Sequence, residues 1–136
     1  MLFRLFSRYT DLYIAIIVVL GAAFILFSES RRGEPVMPQY VIVGADAQQG
    51  PSAIQRYGCG SCHTIPGVSG AVGLVGPSLD HFGSHSYIAG QYPNVPENLV
   101  AWIENPQMMV PGNAMPNLAV SDASARDIAA YLYTLR

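Results

Sequence analysis

The sequence predicts an all-α domain over residues 46–136, carried behind a single apolar N-terminal helix. Three observations predict it. After Ser121, a good helix cap, Ala125, Ile128, Ala129 and Leu132 recur at i, i+3, i+4 and i+7, one face of a 3.6-residue period. No segment alternates apolar and polar residues as a half-buried strand does. Leu12–Phe27 runs 16 residues without a charge. At 136 residues the chain has room for one domain and an appendage.

The elements follow in order. Residues 1–27 read as a transmembrane anchor: Leu2, Phe3, Leu5 and Phe6, broken by Arg4 and Arg8, lead into the charge-free run. Sixteen residues are short of the ~20 that span a bilayer, although Tyr9, Thr10 and snorkelling arginines extend the run. A cleaved signal peptide is the rival, with Leu12–Leu20 as its apolar region and Gly21-Ala22-Ala23 as the cleavage site. It would leave Phe24-Ile25-Leu26-Phe27 at the new terminus, which a soluble product disfavours. Residues 28–45 read as an extended linker, punctuated by Arg31-Arg32-Gly33, Pro35 and Pro38. Fully stretched, its 18 residues reach about 60 Å. Within it Tyr40-Val41-Ile42-Val43 is apolar, which suits packing on its own domain or on a partner subunit.

Gly50-Pro51 opens a helix that carries Ile54 and Tyr57. Pro66–Pro77 is an apolar loop with glycines at 67, 70, 73 and 76, four repeats that cannot sustain a collagen helix and suit a loop hugging a flat ligand. Ser84–Ala89 reads as a short helical turn closed by Gly90. Pro96-Glu97-Asn98 starts a helix whose Leu99, Trp102 and Ile103 share a face, and Pro106 stops it.

Charge excludes one class of partner. The chain has no lysine, and from Pro35 onward three arginines face six acidic residues, a balance that rules out nucleic acid. The same balance removes a basic ring for steering onto acidic partners, so docking must use apolar contact, tethering or a basic partner.

The chemistry lies in Cys59-Gly60-Ser61-Cys62-His63. Two thiols three positions apart share one side of a helical turn, where each can form a thioether to a porphyrin, and His63 follows as the proximal iron ligand. The spacing therefore points to one covalent haem c. A redox dithiol shares the Cys-x-x-Cys pair but wants alternating strands and helices around it. A zinc site completed by His81 and His85 is a further alternative.

The sixth iron position separates a carrier from an enzyme. Met115 in Pro111-Gly112-Asn113-Ala114-Met115-Pro116 is the favoured ligand, because flanking prolines fix an extended loop. Its bland alternative is a core methionine. Met108 and Met109, just after a helix stop, are expected to line the pocket. His81 and His85 are weaker candidate ligands, and an open site would need an acid–base pair for which Asp80 with His81 is the only suggestion.

These motifs together resemble a class I cytochrome c over residues 46–136. Gly50 with Ile54 precedes Cys59–His63; then come Gly76-Pro77-Ser78-Leu79, the Met115 loop, and Asp127-Ile128-Ala129-Ala130-Tyr131-Leu132. The resemblance implies that Pro77 offers a backbone carbonyl to the outer nitrogen of His63. It also implies that the first and last domain helices cross tightly at Gly50, with Tyr131 against Ile54. Ile54 departs from the family, which usually has an aromatic there, so that crossing loses a ring–ring contact. Ser86–Gly90, Pro93–Leu99 and Trp102-Ile103 are similar to cytochrome c domains associated with bacterial haem-copper oxidases. That similarity implies that the Trp102 indole donates to a haem propionate, with a plain hydrophobic anchor as the alternative.

Arginines flank the apolar run on both sides, so charge does not orient it. The resemblance does, because haem is attached outside the cytoplasmic membrane of bacteria. A single-pass inner-membrane protein with its haem domain on the periplasmic side is implied. It would be a one-electron carrier serving a haem-copper oxidase as a bound subunit or tethered shuttle, with the apolar loop Val68, Val72, Leu74 and Val75 bordering the exposed haem edge. The alternatives are the haem subunit of a periplasmic dehydrogenase, and a peroxidase-like or gas-binding haem protein.

Overall fold

The computed structural model describes residues 2–30 and 40–136, with side chains over 13–28 and from 40 onward. The chain divides into two units, Met1–Pro35 and Val36–Arg136. The first carries helix α1, Leu2–Ser30. Every side chain described on α1 is exposed. Among the described residues no helix is long and apolar enough to cross a membrane. Residues 31–39 of the expected linker, and the side chains of 2–12 in the expected anchor, lie outside the described residues.

In the second unit the chain forms α2 (Gly50–Arg56), α3 (Pro96–Glu104), the single turn α4 (Pro106–Met109) and α5 (Asp122–Leu132), with α2 and α3 both packed on α5. The periodic residues of α5 do what their spacing predicts: Ala125, Ile128, Ala129 and Leu132 are all buried. Ser121 caps the helix, its hydroxyl accepting from the Ser124 N–H at 3.3 Å. In α3, Leu99 and Ile103 enter the core while Trp102, on the same face, is partly buried.

The expected crossing at Gly50 is present. A Cβ there would collide with Tyr131 and lie 2.8 Å from the Asp127 carbonyl oxygen, so only glycine lets α2 approach α5 this closely. The Tyr131 hydroxyl passes over the crossing and donates to the Pro66 carbonyl at 2.6 Å, tying α5 to the loop beyond the cysteines. Asp127 fixes the start of the domain by accepting from the Asp46 N–H at 2.7 Å.

Residues 87–93 depart from the all-helical expectation. A 3₁₀ turn over Phe82–Ser84 is followed by β1 (Tyr87–Ile88), which pairs antiparallel with β2 (Tyr92–Pro93), Ile88 opposite Tyr92. Ala89 and Gly90 have φ of 49° and 69°, the two consecutive left-handed residues that reverse a chain into a hairpin. The Gln91 N–H closes that turn on the Ile88 carbonyl at 3.0 Å. Strands of two residues are too short for an alternating pattern to register.

The apolar patch at the end of the linker splits by period two. Ile42 is buried and the Tyr40 ring lies 5.0 Å from that of Tyr133, while Val41 and Val43 are 86% and 85% exposed. Tyr40 and Ile42 therefore belong with the second unit. Beneath Tyr40, the buried Tyr133 hydroxyl donates to Asn94 Oδ1 at 3.1 Å. Asn94 Nδ2 in turn donates to the carbonyls of Phe82 and His85 at 3.1 and 2.9 Å, so this buried polar group is satisfied. Burial pushes the Tyr133 phenol well above its usual range, which keeps it a neutral donor.

Candidate haem site

α2 ends at Arg56 with Tyr57 as its C-cap, and Gly58 with φ 71° turns the chain directly into the 3₁₀ turn Cys59–Ser61. The Cys59 carbonyl accepts from the N–H groups of both Cys62 (3.2 Å) and His63 (3.0 Å), so the three residues are wound on one turn. That winding brings both thiols and the imidazole to the wall of one cavity of about 450 Å³.

The glycine loop closes the back of this turn. The Gly73 N–H donates to the Gly60 carbonyl at 3.0 Å and the Gly76 N–H to the Cys62 carbonyl at 2.8 Å. A Cβ on Gly73 would strike the backbone of Ser61 and Cys62; one on Gly76 would lie 2.6 Å from His63 Nδ1 and 2.9 Å from Nε2. Part of the third-residue glycine spacing thus serves contact with the cysteine turn and its histidine. Within the loop Val68 is buried in the core, correcting the expectation that it borders an exposed edge. Val72, Leu74 and Val75 are 75%, 89% and 79% exposed, and Val75 also lines the cavity.

His63 Nδ1 lies 2.7 Å from the Pro77 carbonyl oxygen. A carbonyl only accepts, so this contact selects the Nδ1–H tautomer and leaves the Nε2 lone pair free for a metal. Burial, the largest influence on Cys59, pushes its thiol up from its ordinary value. A reactive dithiol has the opposite shift, which weighs against the redox-dithiol alternative. Neither His81 nor His85 lines the cavity. His81 sits on the surface 3.5 Å from Asp80. Among the described residues no cluster of three His, Cys, Asp or Glu side chains is placed to hold a metal ion, which leaves the zinc alternative without a ligand set.

Met115 and Trp102 line the same cavity, as does Pro77. Cys59, Cys62, His63, Pro77, Trp102 and Met115 therefore meet at one site. Met108 and Met109 do not: α4 adds one more turn after Pro106, Met108 is 78% exposed, and neither residue lines the cavity. Two residues without prominence in the sequence do matter here. The side-chain amides of Gln107 and Asn113 hold the Met115 loop through six hydrogen bonds to its backbone and to the carbonyls of Pro106 and Val110. Their one sequence signal is a pair of amides framing a proline–glycine loop.

Among the described residues no charged side chain lines the cavity, whose wall is otherwise built largely from apolar groups such as Ile54, Leu99, Ile103, Ile128 and Leu132. The donor set fits haem c: two thiols on one turn, an imidazole of fixed tautomer, a methionine, and a glycine where a Cβ would displace the histidine.

Comparison with known proteins agrees with this geometry. Residues 47–136 match the family model for cytochrome c. Among curated proteins, cytochrome c oxidase subunit 2 of Alkalihalophilus pseudofirmus is 39% identical over 90 residues, covering 66% of this chain and 25% of that protein. Cytochrome c oxidase subunit 2 of Bacillus subtilis is 33% identical over 85 residues, covering 58% of this chain and 24% of that protein. The matched region is thus about a quarter of the length of these relatives. No solved structure matches. The match over residues 47–136, on a mostly helical domain that brings Cys59, Cys62 and His63 to one apolar cavity, shows that the chain belongs to the cytochrome c family, whose members carry covalent haem c.

Proposed function

We propose that the protein is a membrane-tethered one-electron carrier that delivers electrons to a terminal oxidase, with haem c bound through Cys59 and Cys62 and ligated by His63 and Met115. When bound, the haem supplies reversible one-electron exchange at iron. The chain supplies the rest. The Pro77 carbonyl holds the His63 tautomer, the Met115 loop presents a thioether, and Trp102 offers an N–H donor at the cavity wall. The uncharged lining leaves an added positive charge uncompensated, which favours the reduced state.

The observation that carries this reading is that Cys59, Cys62, His63 and Met115 line one cavity that, among the described residues, no charged side chain enters. Peroxidase-like chemistry would want an acid–base pair inside, and Asp80 with His81 lies on the surface instead. The oxidase as partner is supported by the two relatives, both named as cytochrome c oxidase subunit 2.

The tether reading rests on α1. Over residues 13–28 it carries no charge and every side chain is exposed, which would suit a lipid surrounding, although no described helix is by itself long and apolar enough to cross a membrane. Residues 1–27 would be the anchor and 28–45 the link, its end packed on the domain through Tyr40 and Ile42, with 46–136 the carrier domain facing the periplasm from the cytoplasmic membrane. Membranes from cells making the full chain should keep the haem-stained band in the pellet after an alkaline carbonate wash, and the intact mass should include residue 1 or 2. Haem protein in the wash, or a mature chain starting near residue 24, would end the anchor reading.

Val72 and Leu74 form the apolar surface beside the cysteine turn. Leu74→Asp, at a position 89% exposed, should slow electron delivery to the oxidase about tenfold, equivalent to ~1.4 kcal/mol of docking free energy. The visible spectrum should stay unchanged. Stopped-flow oxidation of the reduced protein measures the rate, and an unaltered rate would move the docking surface elsewhere.

A further inference from the structure

The hydrogen bonds described for Met115 both fall on its backbone, and one side chain does much of the holding of its loop. Gln107 Nε2 donates to the carbonyls of Asn113 at 2.8 Å and Met115 at 2.7 Å, and its Oε1 accepts from the Gly112 N–H at 3.1 Å. Both N–H donors and the oxygen of one amide are thus committed to residues 112–115. From the other side, Asn113 Oδ1 accepts from the Met115 N–H at 2.8 Å, while its Nδ2 donates to the Pro106 and Val110 carbonyls at 2.9 and 2.7 Å. The N–H of Met115 is therefore fixed by Asn113 and its carbonyl by Gln107, with the thioether left for the cavity.

The loop has few other means of holding its shape. Pro111 and Pro116 carry no N–H, and Gly112 sits at φ 80°. The backbone contributes a single internal bond, from the Asn113 N–H to the Val110 carbonyl at 3.2 Å. The Gln107 amide takes the place of a ladder.

We propose that Gln107 is a positioning residue for Met115, which keeps the thioether preorganised at the cavity wall. This rests on the reading that Met115 ligates the iron. A neutral thioether is a weak ligand, so its hold against outside ligands depends on how little freedom the loop loses when it binds. Loosening the loop should let a competitor in without altering the competitor's own bond.

The test titrates the ferric full-length holoprotein with imidazole and follows the thioether-to-iron absorption band. Gln107→Ala should give half-displacement at about one-tenth of the parent's imidazole concentration. Gln107→Glu keeps the length and the acceptor for Gly112 but has no N–H to donate, and should shift the same way; it carries the comparison where Gln107→Ala does not assemble. Gln55→Ala removes one donated bond, to the Ser69 carbonyl at 3.2 Å, away from the Met115 loop, and should titrate like the parent. Gln107 variants within twofold of a parent that shows the band would overturn the positioning role and leave Met115 ligation standing. So would an equal shift in Gln55→Ala. A parent without the band, or a Met115→Leu variant that keeps it, would instead overturn ligation and the positioning role with it.

Discussion

Met115→Leu should abolish the thioether-to-iron band of the ferric holoprotein while leaving the covalent haem mass unchanged. Leucine is close to methionine in volume and equally apolar, so the cavity wall and the loop's hydrogen bonds survive the change. Every bond to residue 115 recorded in the loop uses its backbone N–H or carbonyl, neither of which the substitution touches. What is lost is the sulfur. Without it both oxidation states lose a ligand, but a neutral thioether stabilises the reduced iron more than the oxidised, so the midpoint potential should fall. Axial ligands command a range of about 0.8 V, and a fall on the order of 0.1–0.3 V is expected. A redox titration beside the visible spectrum reads both effects. If the band persists, or the potential stays within about 30 mV of the parent, the sixth ligand is another group.

Much of this site was legible because its parts are local. Cys59, Cys62 and His63 lie on one turn, and a turn's geometry follows from spacing alone. The last helix showed itself through a face that recurs every 3.6 residues, and all four of its periodic residues are buried. Met115 stood out because prolines on both sides leave a loop with few alternatives. What the sequence concealed depends on closure in space. The hairpin at Tyr87–Pro93 has strands too short to carry a pattern, and its turn uses Ala89, a residue that does not advertise a positive φ. Met108 and Met109 misled because adjacency to a helix stop says nothing of direction, and the extra turn of α4 aims Met108 at solvent. Gln107 was invisible for a related reason. An amide's partners are backbone carbonyls, which every residue has, so only the folded loop identifies them. The glycines at 73 and 76 were legible as a loop signal, but not as the surfaces against which the cysteine turn and His63 rest.

Gly76→Ala tests that last point. A methyl at Gly76 would lie 2.6 Å from His63 Nδ1 and 2.9 Å from Nε2, with the ring's Cε1 nearer still. These are approaches that carbon and nitrogen do not tolerate, so either the imidazole or the backbone of the loop must move. The loop is poorly placed to yield, because the Gly76 N–H is bonded to the Cys62 carbonyl at 2.8 Å and the Leu79 N–H to the Thr64 carbonyl at 2.9 Å. The ring can swing only by leaving the Pro77 carbonyl at 2.7 Å from Nδ1. Overpacking costs about 1–3 kcal/mol. The lost hydrogen bond to the Pro77 carbonyl adds about 1 kcal/mol. The holoprotein should therefore be destabilised by roughly 2–4 kcal/mol, the sum of those two effects. Guanidinium unfolding followed through the haem absorption measures it. The same displacement frees Nδ1 from its acceptor, so the imidazole donates less strongly to iron and the potential should rise even as stability falls. Those two opposite movements separate a collision with the ligand from general damage to the loop, which would lower stability and leave the potential where it was.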